Sequence, residues 1–254
     1  MKIKADGASL EVKLSSDSSK PALMLWHGAG CTLRMWDHVI EYLEDRFLII
    51  SFDIRGVGQS TGTKDSKNQY TFEQYSEDAN HILDHLGINK IHVWSMAWGS
   101  RAAMAYCSLN PEKVISAVFS DASIGVADVE AQKSGAKIAF LKQSESGVEA
   151  FIKPNGWNEH LNLKTVFMAL AAAEKFNLNN AIKYLSMPIM VMTGDHDPNL
   201  DSSKEIVKLL PNAELVILED VGHGSVLQRP DLTSKKFIEF HDSLETKNGK
   251  VDGT

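Results

Sequence analysis

The sequence predicts an α/β fold, a mostly parallel sheet with helices on both faces, and three observations carry that prediction. Short apolar runs at 21–26, 47–52, 91–96, 114–119, 188–193 and 214–218 are separated by stretches of helical spacing. The run Ile91–Met96 enters a small-residue turn and leaves as an Ala-rich helix, which Asn110-Pro111 stops. With 43% hydrophobic and 23% charged residues, 254 residues suffice for one substantial core, so disordered and collagen-like classes are excluded.

Composition narrows the function classes. A formal charge of −7, with no Lys/Arg cluster, argues against nucleic acid and anionic membrane as partners. Two cysteines, Cys31 and Cys107, lack metal spacing, so no disulfide framework is expected and a reducing cytoplasm is the expected setting. The first residues, MKIKADGASLEV, lack the apolar centre of a signal peptide, and no apolar run approaches membrane-spanning length.

In chain order, alternation from Lys2 to Leu14 around Asp6-Gly7 predicts a hairpin at a sheet edge. The strand ending at Trp26 runs into His27-Gly28-Ala29-Gly30, and a helix is expected from Leu33 to Leu43, with Trp36 in packing. The strand 47–52 ends in Asp53-Ile54-Arg55-Gly56-Val57-Gly58-Gln59-Ser60. This loop reads as structural, its Asp and Arg fixing it by charge-assisted hydrogen bonds, because no Lys-Ser/Thr follows the glycines as a phosphate cradle requires. Helical spacing from Thr71 to Leu86 places Thr71 as the N-cap and Gly87 as the stop.

Between Asp121 and Pro188 helical patterns dominate: Val126 to Gln143, Gly147 to Ile152, and Leu163 to Leu185. Trp157 and His160 stand in a breaker-rich stretch there, as candidates to line a pocket, with packing as the favoured alternative. A helix from Ser202 to Leu210, a strand from Glu214 to Leu218 and a helix from Leu232 to Leu244 complete the pattern. The polar tail 246–254 is expected to be disordered.

Four loops at strand ends carry the residues with chemistry: His27-Gly28-Ala29-Gly30, Ser95-Met96-Ala97-Trp98-Gly99, Gly194-Asp195-His196-Asp197 and Gly222-His223-Gly224. Their order and spacing resemble the α/β-hydrolase superfamily, and within it the cofactor-free esterase and enol-lactonase-like members, from about Pro21 to His241. The resemblance implies an α/β-hydrolase core at 1–121 and 188–245, with a helical cap at 122–187 over the site. It also implies a nucleophile elbow, G-x-S-x-G, whose turn lifts a serine above the sheet. The central residue here is Ala97, and a methyl group cannot attack a carbonyl, so the chain as given is expected to be catalytically dead. Replacement of a serine is the favoured origin over natural loss, since relaxed selection would erode the partner residues too.

By the same resemblance the backbone N–H groups of Ala29 and Trp98 are the oxyanion donors, and His27 and Gly28 stand beside them as substrate-binding candidates together with Trp157 and His160. His223 is the general base and Asp197 the carboxylate that orients it, with Asp195 and Asp121 as rivals. A metal site from Asp195-His196-Asp197 is disfavoured, because adjacent side chains point different ways. The implied reaction is hydrolysis of a small-molecule ester or lactone through an acyl-enzyme, without flavin, nicotinamide or metal. Carbon–carbon cleavage of a diketone by the same triad is one alternative. A naturally inactive hydrolase fold that binds or senses a small molecule is the other. Two departures stand out: Ser95 where glycine is commonest, and Trp98, a bulky neighbour that points weakly to a flat or aromatic acyl group.

Overall fold

The computed structural model describes residues 1–15, 18–63 and 67–249. Eight strands form one sheet: β1 (Lys2–Ala5), β2 (Ala8–Leu14), β3 (Ala22–Trp26), β4 (Leu48–Phe52), β5 (Ile91–Met96), β6 (Val114–Ser120), β7 (Ile189–Gly194) and β8 (Ala213–Leu218). Their spatial order is β1-β2-β4-β3-β5-β6-β7-β8. β1 and β2 form the predicted hairpin, β2 runs antiparallel to β4, and every later pairing is parallel. Parallel strands need crossovers, and these supply the helices on the two faces.

One face carries α2 (Phe72–Leu86), α3 (Trp98–Leu109) and α7 (Leu200–Leu209); the other carries α1 (Asp37–Leu43) and α9 (Pro230–Gly249). The pleat divides the sheet side chains accordingly. Met24, Trp26, Phe52, Val93 and Phe119 pack towards α2 and α3, while Leu25, Ile49, Trp94 and Met192 pack towards α1 and α9. On the second face the Trp94 and Phe237 rings stack at 4.7 Å. Thr71 caps α2 by accepting from the Gln74 N–H, and Gly87 ends it in the left-handed conformation.

The segment between β6 and β7 holds α4 (Val129–Glu145), α5 (Leu163–Leu170) and α6 (Leu178–Ala181). Here the helical expectations change. Residues 147–152 form no helix, because Gly147 takes a positive φ directly after α4 and the chain then runs extended. The single helix expected from Leu163 to Leu185 is broken: it tightens into a 3-10 turn at Ala171–Glu174, restarts where Asn177 caps α6, and tightens again at Ile182–Tyr184. Likewise Leu33–Trp36 is a 3-10 turn preceding α1. A short α8 (Ser225–Gln228) was not expected. α9 begins at Pro230, whose fixed φ suits a first helical position, and continues through Gly249 where disorder was expected from 246. No breaker precedes Gly249; the rest of the expected tail, 250–254, lies outside the described residues.

The loop after β4 is fixed to its surroundings by charge. Arg55 and Asp78, 0% and 2% exposed, form a two-pronged ion pair at 2.7 and 2.5 Å that ties the loop to α2. Burial pushes the Asp78 carboxyl up, and the Arg55 bonds only partly offset it, so the pair locates the loop more than it stabilises the fold. Removing one partner leaves a buried charge unpaired. Asp78→Ala is therefore expected to cost about 3–5 kcal/mol of unfolding free energy in urea titration, against a smaller loss for the double replacement Arg55→Met/Asp78→Leu.

Candidate active site

Four loops at the carboxyl ends of neighbouring strands build the site, and the sharpest of them is the turn from β5 into α3. Ala97 sits at φ 55°, ψ −117°, a conformation that a residue with a Cβ rarely adopts and that costs on the order of 1–3 kcal/mol. Its surroundings enforce it. The Ala97 N–H donates to the Ser120 carbonyl at 2.8 Å, and its own carbonyl accepts from the Ser100 N–H at 3.0 Å. A Cβ on Gly99 would lie 2.3 Å from the His27 carbonyl oxygen, so only glycine lets α3 press against the end of β3. Ser95 is fully buried, its Oγ 3.1 Å from Ser100 Oγ and 3.3 Å from the Val118 carbonyl, which accommodates serine where glycine is commonest.

This close approach sets the His27-Gly28-Ala29 turn beside the start of α3. Among the described residues, neither the Ala29 N–H nor the Trp98 N–H meets a backbone acceptor, so both are free to donate. The Trp98 indole N–H donates to the Leu170 carbonyl at 3.1 Å and its ring packs on Phe72 at 5.6 Å, which draws the inserted helices onto the elbow.

His27 and Gly28 are held by their surroundings. His27 is 1% exposed; its Nδ1–H donates to the Gly28 carbonyl at 3.0 Å and its Nε2 accepts from the Ile54 N–H at 3.2 Å. Both ring nitrogens are engaged, and burial, against the pull of Asp53, holds the ring neutral by lowering its pKa. Gly28 is buried against Met96, so the two residues build the turn.

Trp157 and His160 are packed against the loops around them. The Trp157 carbonyl accepts from the Thr32 N–H at 2.7 Å, its ring is half-buried against the core, and the Lys153 Nζ lies 4.2 Å above it. The His160 Nε2–H donates to the Gly30 carbonyl at 3.1 Å while its Nδ1 accepts from the Gly58 N–H at 3.0 Å. With Thr32 Oγ1 donating to the Gly156 carbonyl at 2.8 Å, the segment 151–161 is a strap that clamps the loops after β3 and β4 together. Asp53 reinforces the clamp, accepting from the Leu33 N–H at 2.6 Å and the Gln59 N–H at 2.8 Å.

On the other side, His223 Nδ1 lies 3.1 and 3.2 Å from the two Asp197 oxygens. Asp197 is 3% exposed and also accepts from the Asn199 N–H at 2.9 Å and the Thr193 hydroxyl at 3.3 Å. Burial would lower the His223 pKa, but the Asp197 hydrogen bond and the charges of Asp121 and Asp197 outweigh it and hold it above its ordinary value. Asp195 is exposed and faces His196 and Asp220, not His223. The trio Asp195-His196-Asp197 therefore does not converge, and the Lys142 ammonium stands 3.2 Å from Asp220 in the group that does form.

Asp121 is the residue whose part the sequence left open. It is fully buried at φ 52°, and its Oδ2 accepts from the Gly224 N–H at 2.9 Å and the Ser225 N–H at 2.7 Å, holding the histidine loop. Asp121, Asp197 and His223 offer atoms within 4.8 Å of one another. Burial first, and then the Asp197 charge, push the Asp121 carboxyl up to about 7. α4 closes over these loops through small residues: a Cβ on Gly135 would lie 2.0 Å from the His196 carbonyl oxygen, and Gln143 donates to the Asp220 carbonyl at 2.6 Å. No apolar stripe announces that contact, which is why periodicity alone does not place α4.

The family described as alpha/beta hydrolase fold matches residues 21–137. A 3-oxoadipate enol-lactonase of Acinetobacter baylyi is 21% identical over 248 residues, 89% of this chain and 90% of that protein. A poly(3-hydroxyalkanoate) depolymerase of Ectopseudomonas oleovorans is 22% identical over 249 residues, 86% of this chain and 83% of that protein. Among solved structures, the enol-lactonase of Burkholderia xenovorans superposes with a TM-score of 0.78 at 18% identity, covering 95% of this chain and 100% of that one. The chain has the α/β-hydrolase fold, which it shares with the enol-lactonase structure.

Two outcomes test the site's construction. An acid whose folded pKa is raised from 3.8 to about 7 loses stability as pH climbs through that window. Asp121→Asn, neutral throughout, is expected to gain in Tm relative to the parent between pH 5 and pH 8; a difference that stays flat with pH would remove the buried carboxyl as its source. His160→Phe leaves the Gly58 N–H and the Gly30 carbonyl without their partner, at a cost of about 1–3 kcal/mol. Hydrogen exchange in the peptide covering 56–60 is expected to quicken, while that of β5 stays unchanged.

Proposed function

We propose that this scaffold carries serine-hydrolase chemistry on small-molecule esters or lactones, and that the chain as it stands is its disarmed form. The observation that carries the reading is the conformation of Ala97. A methyl group gains nothing from φ 55°, ψ −117°, whereas a nucleophile needs the exposed position that this turn provides.

With serine at position 97, His223 Nε2 takes the hydroxyl proton while Asp197 on Nδ1 fixes the tautomer and supports the imidazolium that forms. The serine oxygen attacks the ester carbonyl. The N–H groups of Ala29 and Trp98 receive the developing oxyanion, where loss of one donor typically costs on the order of a hundredfold or more in rate. The alcohol leaves with the His223 proton, and water activated by the same histidine then hydrolyses the acyl-enzyme. Asp121 acts on this sequence through the backbone N–H groups of Gly224 and Ser225, which keep the histidine loop in place. The helices of 122–187 form the cap in this reading: Trp98 is bonded to Leu170 in the insertion, and α4 lies on the acid and histidine loops.

The test is the reverse substitution. Ala97→Ser is expected to hydrolyse p-nitrophenyl esters or lactones that the parent does not, to label with a fluorophosphonate, and to lose both with His223→Ala. Because His223 sits above its ordinary value, the rate is expected to rise with pH through a midpoint above about 6.5. A serine protein that turns over nothing, while the alanine chain binds small ligands, would favour a binding or sensing protein instead.

A further inference from the structure

An N–H donor serves an oxyanion only if it points the right way, and the direction of the Ala29 N–H is set by a short relay of hydrogen bonds. In a trans peptide the C=O and the N–H point opposite ways, so whatever holds the Gly28 carbonyl also aims the Ala29 N–H. Two donors hold it: the Cys31 N–H at 3.1 Å and the His27 Nδ1–H at 3.0 Å. The first of them closes the turn 28–31, whose third residue, Gly30, takes φ 64°.

The Cys31 N–H belongs in turn to the peptide that carries the Gly30 carbonyl. That carbonyl accepts from the His160 Nε2–H at 3.1 Å, so both ends of the Gly30–Cys31 peptide are held, one of them by the inserted segment. The other ring nitrogen, Nδ1, accepts from the Gly58 N–H at 3.0 Å in the loop after β4. A nitrogen that faces a carbonyl must carry the hydrogen and one that faces an N–H must be bare, so the two bonds select one neutral tautomer. The ring is a rigid spacer between the β4 loop and the oxyanion turn. Other bonds seat the strap without it: the Thr32 N–H to the Trp157 carbonyl at 2.7 Å, the Thr32 hydroxyl to the Gly156 carbonyl at 2.8 Å, and the Leu161 N–H to the Gly58 carbonyl at 3.0 Å.

We propose that His160 is a positioning residue for the oxyanion site, aiming the Ala29 N–H through the Gly30–Cys31 peptide, so that the inserted segment completes the donor pair. The reaction it serves rests on the hydrolase reading; the aiming of the turn rests on the hydrogen bonds alone.

Gln and Asn separate the ring's two bonds. Gln carries an amide NH₂ as many bonds from Cα as Nε2, and Asn an amide oxygen as many as Nδ1, so His160→Gln keeps the bond to Gly30 and His160→Asn the bond to Gly58. In the chain as it stands, amide hydrogen exchange followed by NMR is expected to quicken about tenfold at Cys31 in His160→Asn but not in His160→Gln, and at Gly58 in the reverse pattern. On an ester that Ala97→Ser hydrolyses, adding His160→Asn is expected to lower kcat by about tenfold to a hundredfold with KM little changed, and His160→Gln in its place to recover most of the rate. A histidine that merely anchors the strap would leave the two variants alike in both measurements. Equal kcat in the two, a change confined to KM, or exchange at Cys31 that does not distinguish them would each overturn the proposal. If Ala97→Ser turns over no ester, the hydrolase reading fails, and exchange at Cys31 still decides whether His160 aims the turn.

Discussion

The carbonyl oxygen of His27 and the Cα of Gly99 meet so closely that no side chain fits between them. That contact fixes the angle at which α3 leaves the sheet, and with it the backbone of Ala97, which would relax to an ordinary conformation if the helix stood farther off. It also sets the loop after β3 against the start of α3, so two unbonded N–H groups come from segments about seventy residues apart. The strap at 151–161 and the Asp53 carboxylate then hold the first of those loops from outside, through Gly30, Thr32 and Leu33. None of this depends on what side chain stands at position 97.

Strain and charge are concentrated in the same layer. Among the described residues, the three non-glycine residues with positive φ, Ala97, Asp121 and Asp220, all follow strands at the carboxyl edge of the sheet. Each costs a small amount of free energy that the continuous core on both faces offsets. Two carboxylates flank one imidazole there. Asp197 contacts the ring itself, while Asp121 contacts the loop that carries it, and burial first, then the Asp197 charge, raises the Asp121 carboxyl. The result is a histidine biased towards its charged form.

What the sequence told plainly was what short-range rules govern. The β5 run, the glycine turns, the Thr71 cap and the strand ends bearing Asp197 and His223 follow from β-branched runs, breakers and spacing. The insertion was less legible. Ala-rich 169–173 reads as the middle of a long helix, but the chain tightens and restarts there because Asn177 offers a competing cap. His160 and Trp157 stood between pocket and packing, with packing favoured, and their partners, Gly30, Gly58 and Thr32, lie more than a hundred residues away. Asp121 looked like a rival to Asp197 because both end strands, and only their hydrogen bonds separate the two tasks.

The strand order carries a consequence for how the chain is made. β2, β4, β3 and β5 are neighbours and all lie within the first 96 residues, so the half bearing Ala29 and Ala97 can assemble while synthesis continues. β6 joins it next, and β7 cannot follow until the whole inserted segment has been translated. Through that interval β6 is an open edge, and six of its seven residues are ones that the finished fold buries. A nascent chain paused there exposes a strand that seeks a parallel partner, and the inserted segment is the delay during which aggregation competes with folding.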